Sequence, residues 1–384
     1  MLAKKITDAL TGSKITMFAD GYVDEVWEIV DKRTGLKDYT TYSQMKQFTS
    51  RINNSGTGGV GLELVKKRRA FGGFTANIGF AAAKLGVDTA MVGVYGNEKL
   101  DPLFEPINEI CNVYSMGDPA ITHVFEFDDG KILMSYMEAV QDITWDSIVN
   151  KLGVEKIKQL ISESDIIGVG YWSLLPAFDE IVLQISALLP QNYKATSSLS
   201  EGREIHSLRN GEGLGAEPPL NKKCRFFFDF ADFLKKDSES LYKSLEILKT
   251  LNEKAPVILS LNEHEAAALF EKHNETMMGE LELIPNKLEN VRKSLGLDEL
   301  VVHTPYYAVA ASSTEKATLV ECPFCEKPVR TAGAGDTFNG AYIMACLAKF
   351  DIKERLLIAN SAVGFFLRNG QFPDITNVIE NLKE

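Results

Sequence analysis

The sequence has little of what marks several classes of protein. Its 384 residues include five cysteines, an odd number and too few for a disulfide framework, so we expect reduced thiols. No apolar run approaches the roughly 18–20 residues that cross a bilayer, since Gly and Pro interrupt the run from Asp165 to Phe178. The segment Met1–Thr11 lacks the apolar stretch of a signal peptide. These absences predict a soluble, cytoplasmic protein with no membrane partner.

Basic residues are in the minority. The 41 Lys and Arg residues are outnumbered by 53 Asp and Glu residues, and the resulting net charge of −12 disfavours nucleic acid as a partner. A small phosphorylated ligand is not excluded, because it needs only a local anion site. The chain is 45% hydrophobic and 24% charged, which is typical of a globular protein. Its length allows one large domain with an insertion, or two domains.

Short apolar runs alternate with helical patterns along most of the chain. The runs lie at residues 15–19, 90–94, 165–169, 226–230, 257–261 and 300–302. The small residues of Thr75–Leu85 predict a helix that ends at Gly86, and Thr337–Ala348 predicts another. This alternation predicts an α/β fold with a mostly parallel sheet and helices on both faces.

Three regions depart from that alternation. Residues 32–58 are polar and rich in turn residues, and a strand is expected near Leu62–Val65, before the basic cluster at 66–69. Ile121–Met137 predicts a β-hairpin that turns at Asp128–Gly130. Residues 191–223 are polar and rich in Gly and Ser, which indicates a long surface insertion.

The strongest motif runs from Arg330 to Gly340. Gly333, Ala334 and Gly335 are small enough for a ligand to approach the backbone, and the predicted helix follows them. Backbone N–H groups at a helix N-terminus bind phosphate oxygens, and the carboxylate of Asp336 is placed to take a proton from an attacking hydroxyl. Alternatively, the motif is an ordinary N-terminal turn with a helix-starting Asp.

Gly333–Asp336 in this context resembles the C-terminal signature of the PfkB/ribokinase family of carbohydrate and nucleoside kinases. Gly72–Asn77, followed by Ala81–Gly86 and Val92–Gly96, resembles the N-terminal signature of the same family. Further similarities extend the resemblance over nearly the whole chain, at residues 20–24, 262–265 and 360.

The resemblance implies a fold and an activity. The fold would be a ribokinase-like three-layer α/β/α sandwich in a single domain, residues 1–384, with a small β lid from segments 32–66 and 119–138. The activity would be transfer of a phosphoryl group from ATP, with Mg²⁺, to a hydroxyl of a sugar-like acceptor. Asp336 would be the general base, and the amides of Ala334 and Gly335 would hold the transferring group. Lids of this family also pair between subunits, which implies a homodimer.

The resemblance also implies roles for single residues. Asp20 and Asp24 would bind substrate hydroxyls, and the sugar would contact three more residues, Gly72, Gly73 and Asn77. Asn262 and Glu265 match an Asn-x-x-Glu pattern that orders magnesium, a cation that prefers oxygen ligands. Asn360 would lie near the base of the nucleotide, and Thr304 near the nucleotide as well.

Two of these positions depart from the family pattern. Arg330 stands where family members often carry an Asp that is associated with a monovalent cation; a positive side chain there argues against potassium activation and could face a nucleotide phosphate or solvent. Thr304 is followed by Pro305-Tyr306-Tyr307 instead of glycines, so the loop near the nucleotide has a different shape.

Several alternatives stay open at this stage. The acceptor could be a nucleoside, with Tyr22, Trp27 or Phe74 as an aromatic clamp, or the protein could be a catalytically silent sugar- or nucleotide-binding protein on the same fold. The basic cluster Lys66–Arg69 could attract an anionic acceptor or be a solvated strand end. Gly56–Gly61 matches a dinucleotide fingerprint but follows no apolar strand, which favours a lid turn. Cys322 and Cys325 form a lone C-x-x-C that lacks further zinc ligands.

Overall fold

The computed structural model describes residues 2–189, 224–277 and 279–382, so the predicted insertion at 191–223 lies outside the described residues. The helices are α1 (Leu2–Leu10), α2 (Met45–Asn53), α3 (Phe74–Lys84), α4 (Glu105–Asn108), α5 (Glu138–Gln141), α6 (Trp145–Leu152), α7 (Val154–Glu163), α8 (Phe178–Ala187), α9 (Ser238–Asn252), α10 (Glu263–Lys272), α11 (Ile284–Leu295), α12 (Ala334–Leu347), α13 (Ile352–Asn369) and α14 (Ile375–Asn381). The strands are β1 (Lys14–Phe18), β2 (Tyr22–Arg33), β3 (Tyr39–Thr41), β4 (Leu64–Gly72), β5 (Asp88–Gly93), β6 (Asn112–Ser115), β7 (Ala120–Phe127), β8 (Gly130–Tyr136), β9 (Ile166–Val169), β10 (Arg225–Asp229), β11 (Val257–Asn262), β12 (Glu299–His303), β13 (Tyr307–Ser312) and β14 (Thr318–Glu321).

Nine strands form the main sheet, in the order β14-β13-β12-β11-β10-β9-β1-β5-β6. The strands from β12 to β6 in this order all pair in parallel, and β13 and β14 extend the sheet antiparallel beyond β12. The mostly parallel sheet predicted from the alternation of apolar runs and helices is therefore confirmed.

Both faces of this sheet are covered, as the continuous apolar runs require. On β10, Phe226 and Phe228 belong to one hydrophobic core, whereas Phe227 between them belongs to a second core. Successive side chains of a strand point to opposite faces, so the two cores lie on opposite sides of the sheet. The first core includes Phe178 of α8, and the second includes Ile343 of α12. The α/β/α sandwich is confirmed.

A second sheet, here called the lid sheet, consists of β2, β3, β4, β7 and β8. Strand β2 pairs antiparallel with β4 and parallel with β7, and β7 and β8 form the predicted hairpin. The lid sheet begins earlier than residue 32, because β2 starts at Tyr22, and its strand β4 continues to Gly72. The charged residues of β2 concealed this strand in the sequence.

The basic cluster 66–69 lies inside β4, whereas the sequence suggested that it follows a strand. Each cation has a carboxylate partner: Lys66 lies 2.7 Å from Glu25, Lys67 3.1 Å from Glu28, Arg68 2.8 Å from Glu126 and Arg69 2.8 Å from Asp101. These pairs offset the repulsion between neighbouring cations and let a charged segment continue the strand. The cluster is thus paired on the surface and is not left to attract an anion.

The parallel strands end at one edge of the main sheet, and polar residues gather there. Asp20 and Tyr171 follow β1 and β9 closely, and the last residues of three further strands are Asp229, Asn262 and His303. In open α/β sheets, ligands bind outside the carboxyl ends of the strands.

Of the helices that the structure describes, none has the length and apolar character needed to cross a membrane.

Candidate active site

The N-terminus of α12 lies at this edge. Gly333 precedes the helix with φ of +93°, a conformation that glycine adopts without steric cost. The sequence motif suggested two free amides here, those of Ala334 and Gly335. The amide of Ala334 donates to the carbonyl of Thr331 at 3.1 Å, so only the amide of Gly335 is left without such a bond. The helix therefore presents fewer free N–H groups than the motif suggested, although its dipole still favours an anion there.

Asp336 lies in the first turn of α12 and is 8% exposed. Its carboxylate accepts hydrogen bonds from Nδ2 of Asn77 at 2.8 Å and from the hydroxyl of Tyr171. Burial raises the pKa of Asp336 to about 6, while the hydrogen bonds from Tyr171 and Asn77 and the charges of Lys131 and Arg330 act in the opposite direction. A carboxylate with this pKa is ionised at neutral pH and can still accept a proton.

Asp24 lies on β2 beside the glycines that precede α3. A Cβ on Gly72 would lie 2.9 Å from both carboxylate oxygens of Asp24, so only glycine allows this approach. Burial raises the pKa of Asp24 to about 6, and the charge of Asp336 contributes to the rise, whereas Lys131 and Arg330 lower it. The structure thus brings Asp24 and Asp336 into one electrostatic environment, although 312 positions of sequence separate them.

Asp20 has a different set of contacts. It accepts hydrogen bonds from the amides of Phe74 at 2.7 Å and Thr75 at 2.9 Å, and from the Thr75 hydroxyl at 2.7 Å. The side chain is fully buried, and burial raises its pKa to about 7. Asp20 therefore accepts hydrogen bonds from the first turn of α3, the helix that carries Asn77, and its contact with substrate hydroxyls stays a prediction.

Two buried polar atoms near these carboxylates have no partner among the described residues: Oδ1 of Asn77 and the hydroxyl of Tyr22. Asn77 is 7% exposed and Tyr22 is 3% exposed. Buried polar groups are normally hydrogen-bonded, so orphaned ones at a site point to a polar ligand. The charges of Asp20 and Asp24 both act on Tyr22, so its hydroxyl lies in the same electrostatic environment as these two carboxylates.

The proposed magnesium residues form a capping box at the start of α10. Oδ1 of Asn262 accepts from the amide of Glu265 at 3.0 Å, and the carboxylate of Glu265 accepts from the amide and from Nδ2 of Asn262. Burial and the charges of Asp229 and Asp232 raise the pKa of Glu265 to about 9. Asp229, at the end of β10, has its pKa raised to about 7 by burial and by Asp336, while Nδ2 of Asn339 donates to it at 2.7 Å.

The predicted nucleotide residues lie in three different settings. The hydroxyl of Thr304 accepts from the amides of Tyr306 and Tyr307 at 3.1 and 3.0 Å and so closes the turn between β12 and β13. Nδ2 of Asn360, on α13, is buried and has no partner among the described residues. Arg330 lies beside Gly333, and its charge acts on Asp24 and Asp336 instead of facing solvent alone.

The weaker sequence alternatives find little in the structure. Phe74 is fully buried, and Nζ of Lys66 lies over the ring of Trp27, 4.6 Å from its centroid, while the indole N–H donates to Nδ1 of His123 at 3.0 Å, so both side chains are engaged within the protein. Gly56–Gly58 form a short turn between α2 and β4. Cys322 and Cys325 form no disulfide, burial raises the pKa of Cys322 to about 11, and the described residues contain no cluster of metal-binding type.

Sequence reasoning missed Tyr171 and Lys131. Tyr171 follows Gly168 and Gly170 after a buried strand, and that position at the carboxyl edge was the available signal. Lys131 begins the second strand of the predicted hairpin. Only the folding of the lid sheet brings its charge close enough to act on the carboxylates of Asp24 and Asp336.

Comparisons with known proteins agree with this geometry. A family model described as prokaryotic ketohexokinase matches residues 2–191 and 216–384. A ketohexokinase of Haloferax volcanii is 22% identical over 372 residues, which cover 96% of this chain and 91% of that protein. A ribokinase of Bacillus subtilis is 36% identical over 110 residues, 27% of this chain and 30% of the relative.

Solved structures share the fold. The ribokinase of Arabidopsis thaliana, complexed with ribose and ATP, matches with a TM-score of 0.63 at 16% identity. The match covers 97% of this chain and 99% of the chain of that ribokinase. Phosphofructokinase-2 of Escherichia coli has a TM-score of 0.62 at 14% identity, covering 97% and 98%. Fold and family together define a carbohydrate kinase of the PfkB/ribokinase family. Within it, the chain belongs to the prokaryotic ketohexokinase family.

Proposed function

We propose that the protein transfers the γ-phosphoryl group of ATP to a hydroxyl of a ketohexose, with Asp336 as general base. The observation that carries the proposal is the placement of Asp336: buried in the first turn of α12, held by Asn77 and Tyr171, and electrostatically coupled to Asp24. The ketohexose is chosen because the ketohexokinase family model matches most of the chain.

The reaction needs a base, a site for the phosphoryl group and a way to orient the acceptor. Asp336 takes the proton of the attacking hydroxyl as the new bond to phosphorus forms, and its raised pKa makes it a better acceptor than an exposed Asp. The amide of Gly335 and the dipole of α12 stabilise the negative charge on the phosphoryl oxygens.

Asp24, Asn77 and Tyr22 orient the acceptor. The carboxylate of Asp24 accepts hydrogen bonds from acceptor hydroxyls, and the unpartnered Oδ1 of Asn77 and hydroxyl of Tyr22 gain partners when a polyol binds. A sugar with several hydroxyls satisfies all three groups. A nucleoside base would find no open aromatic side chain among Phe74, Tyr22 and Trp27, so these contacts favour the sugar over the nucleoside.

The donor side suits ATP with magnesium. Asn262, Glu265 and Asp229 offer oxygen ligands of the kind that Mg²⁺ prefers, and a cation there would relieve the mutual repulsion that helps raise the pKa of Glu265 and Asp229. When bound, the cation neutralises phosphate charge. The buried, unpartnered Nδ2 of Asn360 supplies a donor for a nucleotide base.

We also propose that the chain is a single kinase domain, as the sequence predicts. In this proposal the lid sheet closes over the acceptor and pairs with the lid sheet of a second copy of the chain. β8 is an edge strand of the lid sheet and exposes Leu133, Met134 and Tyr136. An exposed apolar edge strand is a surface that proteins normally cover. Sedimentation equilibrium of the wild type and of Leu133→Lys tests this: the proposal requires a dimer that the charged variant weakens.

The activity is tested by release of ADP from Mg-ATP in the presence of ketohexoses, aldohexoses, sugar phosphates and nucleosides, with Asp336→Asn in parallel. The proposal requires stimulation by a ketohexose that the variant loses. Stimulation by a nucleoside would reassign the acceptor. No turnover with any acceptor, combined with an increase in melting temperature on adding ATP or sugar, would identify a silent binding protein instead.

A further inference from the structure

Arg330 is held at the N-terminus of α12 by its own contacts. Its Nε donates to the carbonyl of Ala332 at 2.9 Å, and its guanidinium group lies over the rings of Phe366 and Phe372, at 5.1 and 5.7 Å from their centroids. Its Nη2 is 3.7 Å from the point that a Cβ on Gly333 would occupy. The cation–π contacts with two rings and the hydrogen bond to Ala332 thus hold the guanidinium group beside the helix N-terminus.

The remaining donors of this side chain are unused. Within the described part of the chain, no carboxylate or carbonyl accepts a hydrogen bond from Nη1 or Nη2 of Arg330, although the residue is half-buried. Other arginines with limited exposure behave differently: Arg355 and Arg225 both bind the buried carboxylate of Glu299. A half-buried guanidinium has five N–H groups to satisfy, and four of them here are available to a ligand.

The charge of Arg330 faces the candidate site. It acts on both Asp24 and Asp336, and their charges in turn act on it. The amide of Ala334, which the sequence assigned to the transferring group, is engaged with Thr331. The site therefore lacks the free amide of Ala334 that was expected. The guanidinium group of Arg330 lies at the same end of α12 and adds a positive charge there.

We propose that Arg330 is a catalytic residue that donates hydrogen bonds from its Nη groups to the phosphoryl oxygens during transfer. This rests on the proposed function. The bond from the acceptor oxygen to phosphorus forms, the bond from phosphorus to the leaving oxygen of ADP breaks, and the hydroxyl proton passes to Asp336. Arg330 exchanges no proton; it stabilises the charge on the three equatorial oxygens, which is where an arginine gains most in phosphoryl transfer.

The test compares Arg330→Met and Arg330→Lys with Lys327→Met, which removes an exposed charge three residues upstream. We expect Arg330→Met to lower kcat by about 10²–10³-fold with both KM values changed less than about threefold, and Arg330→Lys to lose about tenfold less. Calorimetry measures binding of ADP with aluminium fluoride and the sugar, a stand-in for the transferring group. Its affinity should fall by a similar factor in Arg330→Met and stay unchanged in Lys327→Met.

Two further measurements separate contact from support. Guanidinium ion at millimolar concentration should restore part of the turnover of Arg330→Ala, which leaves the space over the rings of Phe366 and Phe372 empty. If Arg330→Met is too unstable to assay, Arg330→Lys and this rescue decide the question. An unchanged kcat, or a change only in the KM for ATP, would overturn the proposal.

A shift of the acidic limb of the pH profile with unaltered binding of aluminium fluoride would also overturn it, because Arg330 would then act through the carboxylate of Asp336. If the wild type itself fails to phosphorylate every ketohexose, the proposed function fails. An active wild type with indifferent Arg330 variants overturns only the role of Arg330.

Discussion

The charges at the α12 site and the charges on the lid sheet obey opposite rules. Asp336, Asp20 and Asn77 are each less than 10% exposed, and the hydrogen bond between Asn77 and Asp336 joins residues 259 positions apart. In the lid sheet, Lys66, Lys67 and Arg68 have side chains 42–47% exposed, and each pairs with a carboxylate of another strand of the same sheet.

Burial explains the difference. A carboxylate removed from water keeps a raised pKa and reacts strongly to each neighbouring charge, whereas solvent screens a surface pair to a contribution of about 0–1 kcal/mol. A buried carboxylate with a raised pKa therefore costs stability when it is ionised. The exposed charges of the lid sheet join its strands in pairs, whereas the buried Asp24 of β2 follows the rule of the α12 site.

The largest effect is expected at the centre of the buried network. Asp336→Asn should lower kcat by about 10²–10⁴-fold, because the amide cannot accept the hydroxyl proton. Asp146→Asn, an exposed position on α6, is the matched control. Near-full activity of Asp336→Asn would show that Asp336 is not the general base.

The same variant should not lose stability at pH 8. The amide can accept from Asn77 and donate to Tyr171, and it removes a carboxylate whose pKa in the folded protein, about 6, lies above its ordinary value of 3.8. A raised folded pKa means that ionisation costs stability at alkaline pH. Thermal unfolding at pH 8 checks this, with a melting temperature equal to or above that of the wild type as the expected result.

A smaller effect is expected where the lid sheet meets the core. Asp24→Asn should raise the KM for the acceptor by about 10–100-fold and leave the KM for ATP within about threefold, because the proposed role of Asp24 is to bind acceptor hydroxyls and not the nucleotide. Initial rates with each substrate varied in turn give both values. Equal changes in both constants would show that Asp24 is structural.

The pH dependence of the wild type should follow the buried carboxylates. The proposed base Asp336 must be ionised to act and burial raises its pKa to about 6, so kcat should fall as the pH drops through 6 and be about tenfold lower at pH 5. Circular dichroism at pH 5 controls for unfolding. A kcat that stays constant down to pH 5 in folded protein would contradict the raised pKa of the base.

The smallest effect is expected on the lid sheet itself. Lys67→Met breaks the surface ion pair between Lys67 and Glu28, whose charged atoms lie 3.1 Å apart. The variant should change the free energy of unfolding by less than about 1 kcal/mol. Urea unfolding with and without Glu28→Gln completes a double-mutant cycle. A coupling well above 1 kcal/mol would mean that the lid charges are not simply screened.

Much of the site could be read from the sequence because its residues sit in short, local motifs. Gly333–Asp336 and Gly72–Asn77 each combine small residues with a polar one at a helix start, and both helices begin there in the structure. The contacts of Asp20 and Ala334 could not be read in this way, since each depends on which backbone group lies nearest in the folded chain. The same holds for Tyr171 and Lys131, which belong to no motif.

The sequence alone determined the parallel sheet, the two covered faces and the two glycine-rich helix starts, because apolar runs and glycines act through local geometry and burial. The tertiary structure decided which of those groups meet. It brought Asp24, Asn77, Tyr171 and Asp336 together and turned Arg330 toward them. It also paired the basic residues of β4 with carboxylates. Contacts between residues so far apart in sequence depend on the packing of whole elements, for which no local pattern exists.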